Sequence, residues 1–360
     1  MSTQPDRGRG GPLSLPEELS TRHLARRALE VIVLLAVAGL VAAVAPGLGE
    51  VRARLQSADV KWLALAVVLE ALSCASYVLM FRPVFCPRMS WRTSWEIAWS
   101  ELAVGSIVPA SGAGGLALGA WILRQGGMPG EEIARRSVAF FLIKSSVNFV
   151  AVAVIGALMA VGVLGPHRSL WLTAFPAAAS AVVIAGVLVV PRLGHGAGVD
   201  PGAERARRWL QTARHALVDG ARQAVATVRS GHIGVIAGSI GYWAWDNAVL
   251  WATYHAFGAS VPLTVILMGY LIGQLGGLLP IPGGVGGIDG GLIGTLVVYG
   301  APAAPTAAAV LAYRVILFWL PLIVGGAAFL SLRRGLNQPE RPDLCAPLSA
   351  PPATEGAAGG

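Results

Sequence analysis

Two long apolar stretches of this chain are broken in the middle by proline and glycine, and those breaks limit what it can fold into more than any other feature. Residues 94 to 127 are interrupted by "VPASGAGG" and residues 264 to 299 by "LPIPGGVGG". A helix needs about 20 apolar residues, each adding 1.5 Å, to cross some 30 Å of hydrocarbon. The pieces beside each break are too short for that. Six other segments are long enough, at roughly 28 to 45, 61 to 81, 137 to 164, 168 to 191, 233 to 257 and 306 to 331. Charged residues make up 13% of the chain and hydrophobic ones 55%, with mean hydropathy +0.64. Soluble domains carry about 25% charged residues. The composition therefore predicts one membrane domain over 25 to 334, between a cytoplasmic tail at 1 to 24 and a disordered tail at 335 to 360.

The flanks of the broken regions predict how they lie. Arg82, Arg88 and Arg92 precede the first and Arg124, Arg135 and Arg136 follow it, so the positive-inside rule puts both its ends in the cytoplasm. The second lies between the uncharged "GASVPL" and "GAPAAP", which suit the outer face. The expected fold is an all-α polytopic membrane protein of six full spans plus two re-entrant helical hairpins in an inverted-repeat arrangement, with both termini inside. Arg52, Arg54 and Lys61 fall outside in this scheme, against the rule. A weak repeat supports pairing the halves: Lys144 follows Pro109 by 35 residues, and Arg314 follows Pro280 by 34. Inverted repeats with discontinuous helices build transporter sites near the midplane.

Several functions are excluded or unsupported. The net charge is +8, but the arginines gather beside apolar runs as topology signals, so no nucleic acid is expected. Cys74, Cys86 and Cys345 are too scattered for a disulfide framework or a zinc site. No nucleotide loop, zinc-protease helix or nucleophile turn is present, so neither catalytic residues nor a metal or cofactor is expected. The segment 202 to 229 is amphipathic, with Leu210 and Leu217 on an apolar stripe among arginines. It suits a cytoplasmic helix lying on anionic headgroups, or equally a helix packed on its own domain.

A helix broken inside hydrocarbon frees backbone groups that must be met by protein, water or ligand. The candidate substrate-binding residues therefore include Pro109 and Gly112 at one tip, and Pro280, Pro282, Gly283, Gly284 and Gly286 at the other. Gly115 with Gly119, and Gly287 with Gly291, have the small-xxx-small spacing of tight helix contacts. Asp289 falls in the first turn after the second tip, where the helix dipole favours a carboxylate. Ionisable residues inside spans are costly and face a cavity or one another. Here they are Glu70, Asp246 and Arg314, with Lys144 nearer the inner face. They read either as structural ion pairs or as a site where Lys144 and Arg314 meet a phosphate headgroup.

The run "LPIPGGVGGIDGG" followed by "LAYRVILFWLPLIVGG" at 311 to 326 resembles the signature of the lysylphosphatidylglycerol synthase transmembrane region, a flippase-like family. The resemblance covers about 25 to 332 and includes the pair Tyr313 and Arg314, which joins the candidate site. The first half is looser, keeping the proline and glycines of "VPASGAGGLALGAW" without a charged residue after its tip. The resemblance implies translocation of an aminoacylated, anionic or polyprenyl-linked lipid across the cytoplasmic membrane. Fused members carry a soluble domain that attaches the amino acid. The sequence has no such domain, so aminoacyl transfer is not expected. The implied partners are a membrane phospholipid or lipid-linked substrate and anionic headgroups. A homo-oligomer or a partner lipid-modifying enzyme stays open, as do an accessory subunit presenting lipid to a transferase and a small-solute or ion transporter.

Overall fold

The computed structural model describes residues 24–26, 28–30, 32, 33, 36, 53, 56–107, 113–166, 168–192, 205–274 and 287–336. The described regular structure is helical throughout. The helices are α1 (Val60–Phe85), α2 (Trp91–Ile107), α3 (Ala113–Gln125), α4 (Gly130–Ala160), α5 (Ala174–Val189), α6 (Arg205–Arg229), α7 (Ile233–Ala256), α8 (Leu263–Gln274), α9 (Gly287–Val298) and α10 (Ala303–Leu336). Most of the expected span at 28 to 45 lies outside the described residues, although Ala28 and Ile32 pack beside Ile107 and Phe318. Both Pro/Gly tips and nearly all of both tails also lie outside them.

Local chemistry explains where helices start and stop. The Asp59 carboxylate accepts from the Lys61 N–H at 2.9 Å and caps α1, while the Asp59 N–H donates to the Ala256 carbonyl at 2.8 Å, tying that end to α7. Helices α3 and α9 end in the same way. Gly127 and Gly300 have φ of 89° and 90°, and the next N–H, of Met128 or Ala301, donates to the carbonyl of Leu123 or Leu296 at 3.0 and 2.9 Å. These are Schellman closures, which need glycine at the left-handed position. A proline follows each, Pro129 or Pro302, directly before α4 or α10. "GMPG" at 127 to 130 and "GAPA" at 300 to 303 are therefore one turn used twice.

The repeat extends to packing. Helices α1 and α7 lie antiparallel along their length: Gly238 meets Met80, Gly241 meets Ser76, and Ser73 Oγ donates to the Tyr242 carbonyl at 3.1 Å. In the first hairpin, α3 folds back on α2, with Gly115 and Gly119 both against Glu101. In the second, α9 folds back on α8, where Gly273 meets Leu292 and Gly269 meets Leu296. Each half thus contributes a long helix, a helical hairpin and a second long helix. The second long helix packs on the other half's hairpin, α10 on α2 and α4 on α8. Small residues make these approaches: Gly325 lies against Trp99 and Ala103, and Gly156 against Met268.

Among the described residues, four helices are long and apolar enough to cross a membrane: Val60–Phe85, Gly130–Ala160, Ala174–Arg192 and Ala303–Arg334. The span expected at 233 to 257 appears as the 24-residue Ile233–Ala256, long enough but outside those four. Its Tyr242, Asp246 and Asn247 lower its hydropathy and turn toward neighbouring helices. Helix α6 packs on α4 through Gly220 against Val138, burying Val218, Ala221 and Ala224 and leaving Leu210 exposed. The expected helix at 202 to 229 thus has one face committed to its own domain.

A Cβ at Gly325 would stand 2.1 Å from the Trp99 carbonyl oxygen, whereas one at Gly326 would meet nothing within 4 Å. Gly325→Val is expected to destabilise the fold by about 1–3 kcal/mol or more and lower the thermal midpoint in detergent. Gly326→Val should leave that midpoint unchanged.

Candidate functional site

Helix α7 carries Asp246 into the centre of the second half, where it is 7% exposed. A buried carboxylate must be paired or hydrogen-bonded, and two tyrosines supply the donors. The Tyr313 hydroxyl, on α10, donates to Oδ1 at 2.9 Å, and that of Tyr270, on α8, donates to Oδ2. One residue beyond Tyr313, Arg314 Nε donates to Asp289 Oδ1 at 2.7 Å, with side-chain exposures of 15% and 13%. The guanidinium also acts electrostatically on Asp246. Asp289 lies in the first turn of α9, so its carboxylate sits at the positive end of that helix as well as on the arginine.

The first half holds a second polar cluster. Glu101, on α2, is 2% exposed and accepts the Tyr77 hydroxyl on Oε2 at 2.8 Å, while its buried Oε1 has no hydrogen-bond partner among the described residues. Its carboxyl fills the space beside Gly119: a Cβ there would overlap Oε1 at 1.4 Å. Lys144, on α4, extends its ammonium among three rings, 5.7 Å from the centroid of Tyr242, 5.9 Å from Tyr77 and 6.0 Å from Phe141. Among the described residues no carboxylate lies within salt-bridge distance of it, and Glu101 acts on it through space. Cation–π attraction holds an ammonium at such distances.

Tyr242 joins the clusters. Its ring centroid is 5.5 Å from that of Tyr77, and it precedes Asp246 by one turn of α7. On α1, Cys74 Sγ donates to Glu70 Oε1 at 3.4 Å, and Glu70 Oε2 is buried without a partner among the described residues. Polar groups therefore run through the apolar interior from Asp289 and Arg314, past Asp246 and Tyr242, to Lys144 and Glu101.

Of the expected site residues, the structure brings together Asp246 with Tyr313, and Asp289 with Arg314, but places Lys144 in a separate cluster. Arg314 sits one helical turn earlier than Lys144 after the repeated turn, so the two are not strict counterparts. Pro109, Gly112, Pro280, Pro282, Gly283, Gly284 and Gly286 lie outside the described residues. Sequence reasoning missed Glu101, Tyr77, Tyr242 and Tyr270. Glu101 comes before the first tip, whereas the charge was sought after it. A carboxylate one arm across from a glycine pair was the available signal.

Removing one partner of a buried ion pair strands the other charge, at about 3–5 kcal/mol, while removing both is often near neutral. Asp289→Asn or Arg314→Gln alone should therefore lower the thermal midpoint more than Asp289→Asn with Arg314→Gln combined. In the first half, Gly119→Ala should displace the Glu101 carboxyl and destabilise the hairpin by about 1–3 kcal/mol, read by thermal unfolding.

Comparison with known proteins agrees with this polytopic, helical, membrane-suited arrangement. Residues 29–325 match the family described as the lysylphosphatidylglycerol synthase TM region. Two proteins of Methanothermobacter thermautotrophicus, each named UPF0104 membrane protein, are similar along most of their length. One is 27% identical over 306 residues, covering 78% of this chain and 86% of the relative. The other is 26% identical over 326 residues, covering 83% and 93%. With most of its length matched, the chain is a membrane protein belonging to the lysylphosphatidylglycerol synthase transmembrane-region family.

Proposed function

We propose that this protein moves a polar-headed lipid, aminoacylated, anionic or polyprenyl-linked, between the leaflets of the cytoplasmic membrane, and performs no group transfer itself. One observation carries the reading: ionisable side chains from both halves, among them Glu101, Lys144, Asp246, Asp289 and Arg314, line up across an interior otherwise built of apolar helices. Charge inside a membrane is expensive to hold, by at least about 2.5–3.5 kcal/mol per group on insertion scales, and commonly marks a pathway.

In this reading the hairpins enter the membrane from opposite faces and both termini are cytoplasmic. The antiparallel pairing of α1 with α7 supports it, because corresponding helices of the halves then point in opposite directions. Crossing both broken regions once would make these helices parallel. The acyl tails remain in the bilayer while the headgroup passes between the halves. Its phosphate exchanges onto Arg314 and Lys144, and any cationic part onto Asp289 and Asp246. Because Arg314 and Asp289 hold each other at rest, a headgroup bearing both charges can replace the pair without stranding either. Movement of the hairpins against the long helices alternates access.

The test is reconstitution with fluorescent lipids and a membrane-impermeant quencher. Protein-dependent loss of protection is expected for at least one anionic, aminoacylated or polyprenyl lipid, slowed tenfold or more in Asp289→Asn and Arg314→Gln. No protein-dependent movement of any of them would overturn the reading.

A further inference from the structure

We propose that Glu101 and Lys144 form a proton-linked anion site, at which Glu101 takes up one proton when a phosphate group binds Lys144 and releases it when the phosphate leaves. The proposal rests on the transport reading above and adds the ion that moves with the lipid.

The argument starts from unequal satisfaction of the Glu101 carboxylate. Oε2 receives the Tyr77 hydroxyl, Oε1 receives nothing among the described residues, and the residue is 2% exposed. Its remaining compensation is the field of Lys144. Among the described residues the ammonium is held by ring faces alone, so it can accept an anion without first breaking an ion pair. An anion there would place two negative groups around one ammonium. In an apolar interior an uncompensated carboxylate costs several kcal/mol, and a proton on Oε1 removes that charge. Oε2 keeps its bond from Tyr77. The balance is one proton from the aqueous phase per anion bound, leaving a neutral acid, an ammonium and the anion.

The other titratable groups around the pair are already engaged or lie at other levels. Helix α1 presents Tyr77 and, one turn before it, Cys74 bonded to Glu70. Helix α7 presents Tyr242 and, a turn further on, Asp246, held by Tyr270 and Tyr313. Helix α3 offers Gly115 and Gly119, and α10 meets α2 through Gly325. Tyr313 and Arg314 of α10 belong to the second cluster. Glu96 of α2 is bonded to Arg92 and Ser331. Helix α6 meets α4 at Val138, and α5 and α8 meet it at Gly156.

Linked uptake of one proton makes anion affinity rise as pH falls, by up to about tenfold per pH unit. The experiment titrates the full chain in detergent with dihexanoyl phosphatidylglycerol, and in a parallel arm with glycerophosphoglycerol, its deacylated phosphodiester headgroup, by calorimetry in two buffers of different ionisation enthalpy across pH 7 to 9. Expected is uptake that rises with pH towards one proton per lipid bound, abolished in Glu101→Gln, which should bind with little pH dependence, and retained in Glu70→Gln. Lys144→Met should lose the binding. Binding without proton uptake in the wild type would overturn the linkage and leave lipid transport standing. Uptake that persists in Glu101→Gln would overturn the assignment to Glu101. Equal binding and uptake with glycerophosphoglycerol would support the linkage and reassign the site from lipids to soluble phosphates. No binding of either probe at any pH would overturn the anion site and leave lipid transport to the reconstitution test.

Discussion

A carboxylate in an apolar interior has no water to turn to, and the arrangement of this protein follows from where its acids find donors. Asp246 is met by tyrosines from α8 and α10, Asp289 by an arginine from α10, and Glu101 by a tyrosine from α1. In each case the donor comes from a different helix than the acid. These bonds therefore fix how helices face one another, a matter that dispersion between similar aliphatic surfaces leaves loosely defined. The glycines work with the same constraint. Only where backbones approach closely, as at Gly119 beside Glu101, can a short polar side chain reach across.

Much of the architecture was legible in the sequence because it depends on length and punctuation. Apolar runs gave helices at 61 to 81, 137 to 164 and 306 to 331, and the structure has α1, α4 and α10 there. The breaks gave short paired helices, and the arms do fold back on each other. The helix at 233 to 257 was also foreseen, with Asp246 marked as an ionisable residue inside it. It is more polar than the other long helices, and its Tyr242 and Asp246 are met by side chains of α1, α8 and α10. The repeat was seen through the prolines and missed in its clearer form, the Gly-x-Pro turn before α4 and α10.

The candidate site was less legible, for a physical reason. A single ionisable residue in a hydrophobic run announces itself, and Asp246, Asp289, Arg314 and Lys144 all did. Tyrosines do not, because the same residue serves as an apolar filler or as a hydrogen-bond donor depending on what lies opposite. Tyr77, Tyr242 and Tyr270 acquire their meaning only once three helices are brought together. Which charges pair is likewise a three-dimensional matter: Arg314 and Lys144 look alike along the chain, yet one closes on a carboxylate and the other on aromatic faces.

The exchange of closing helices between the halves, α10 over the first hairpin and α4 over the second, bears on how the molecule is made. During synthesis α2 precedes α10, and the groove at Trp99 and Ala103 that Gly325 fills stays uncovered until α10 has left the ribosome. Neither half encoded by itself would have its groove filled. Packing of the first hairpin thus waits for α10, which ties its biogenesis to residues more than two hundred positions downstream.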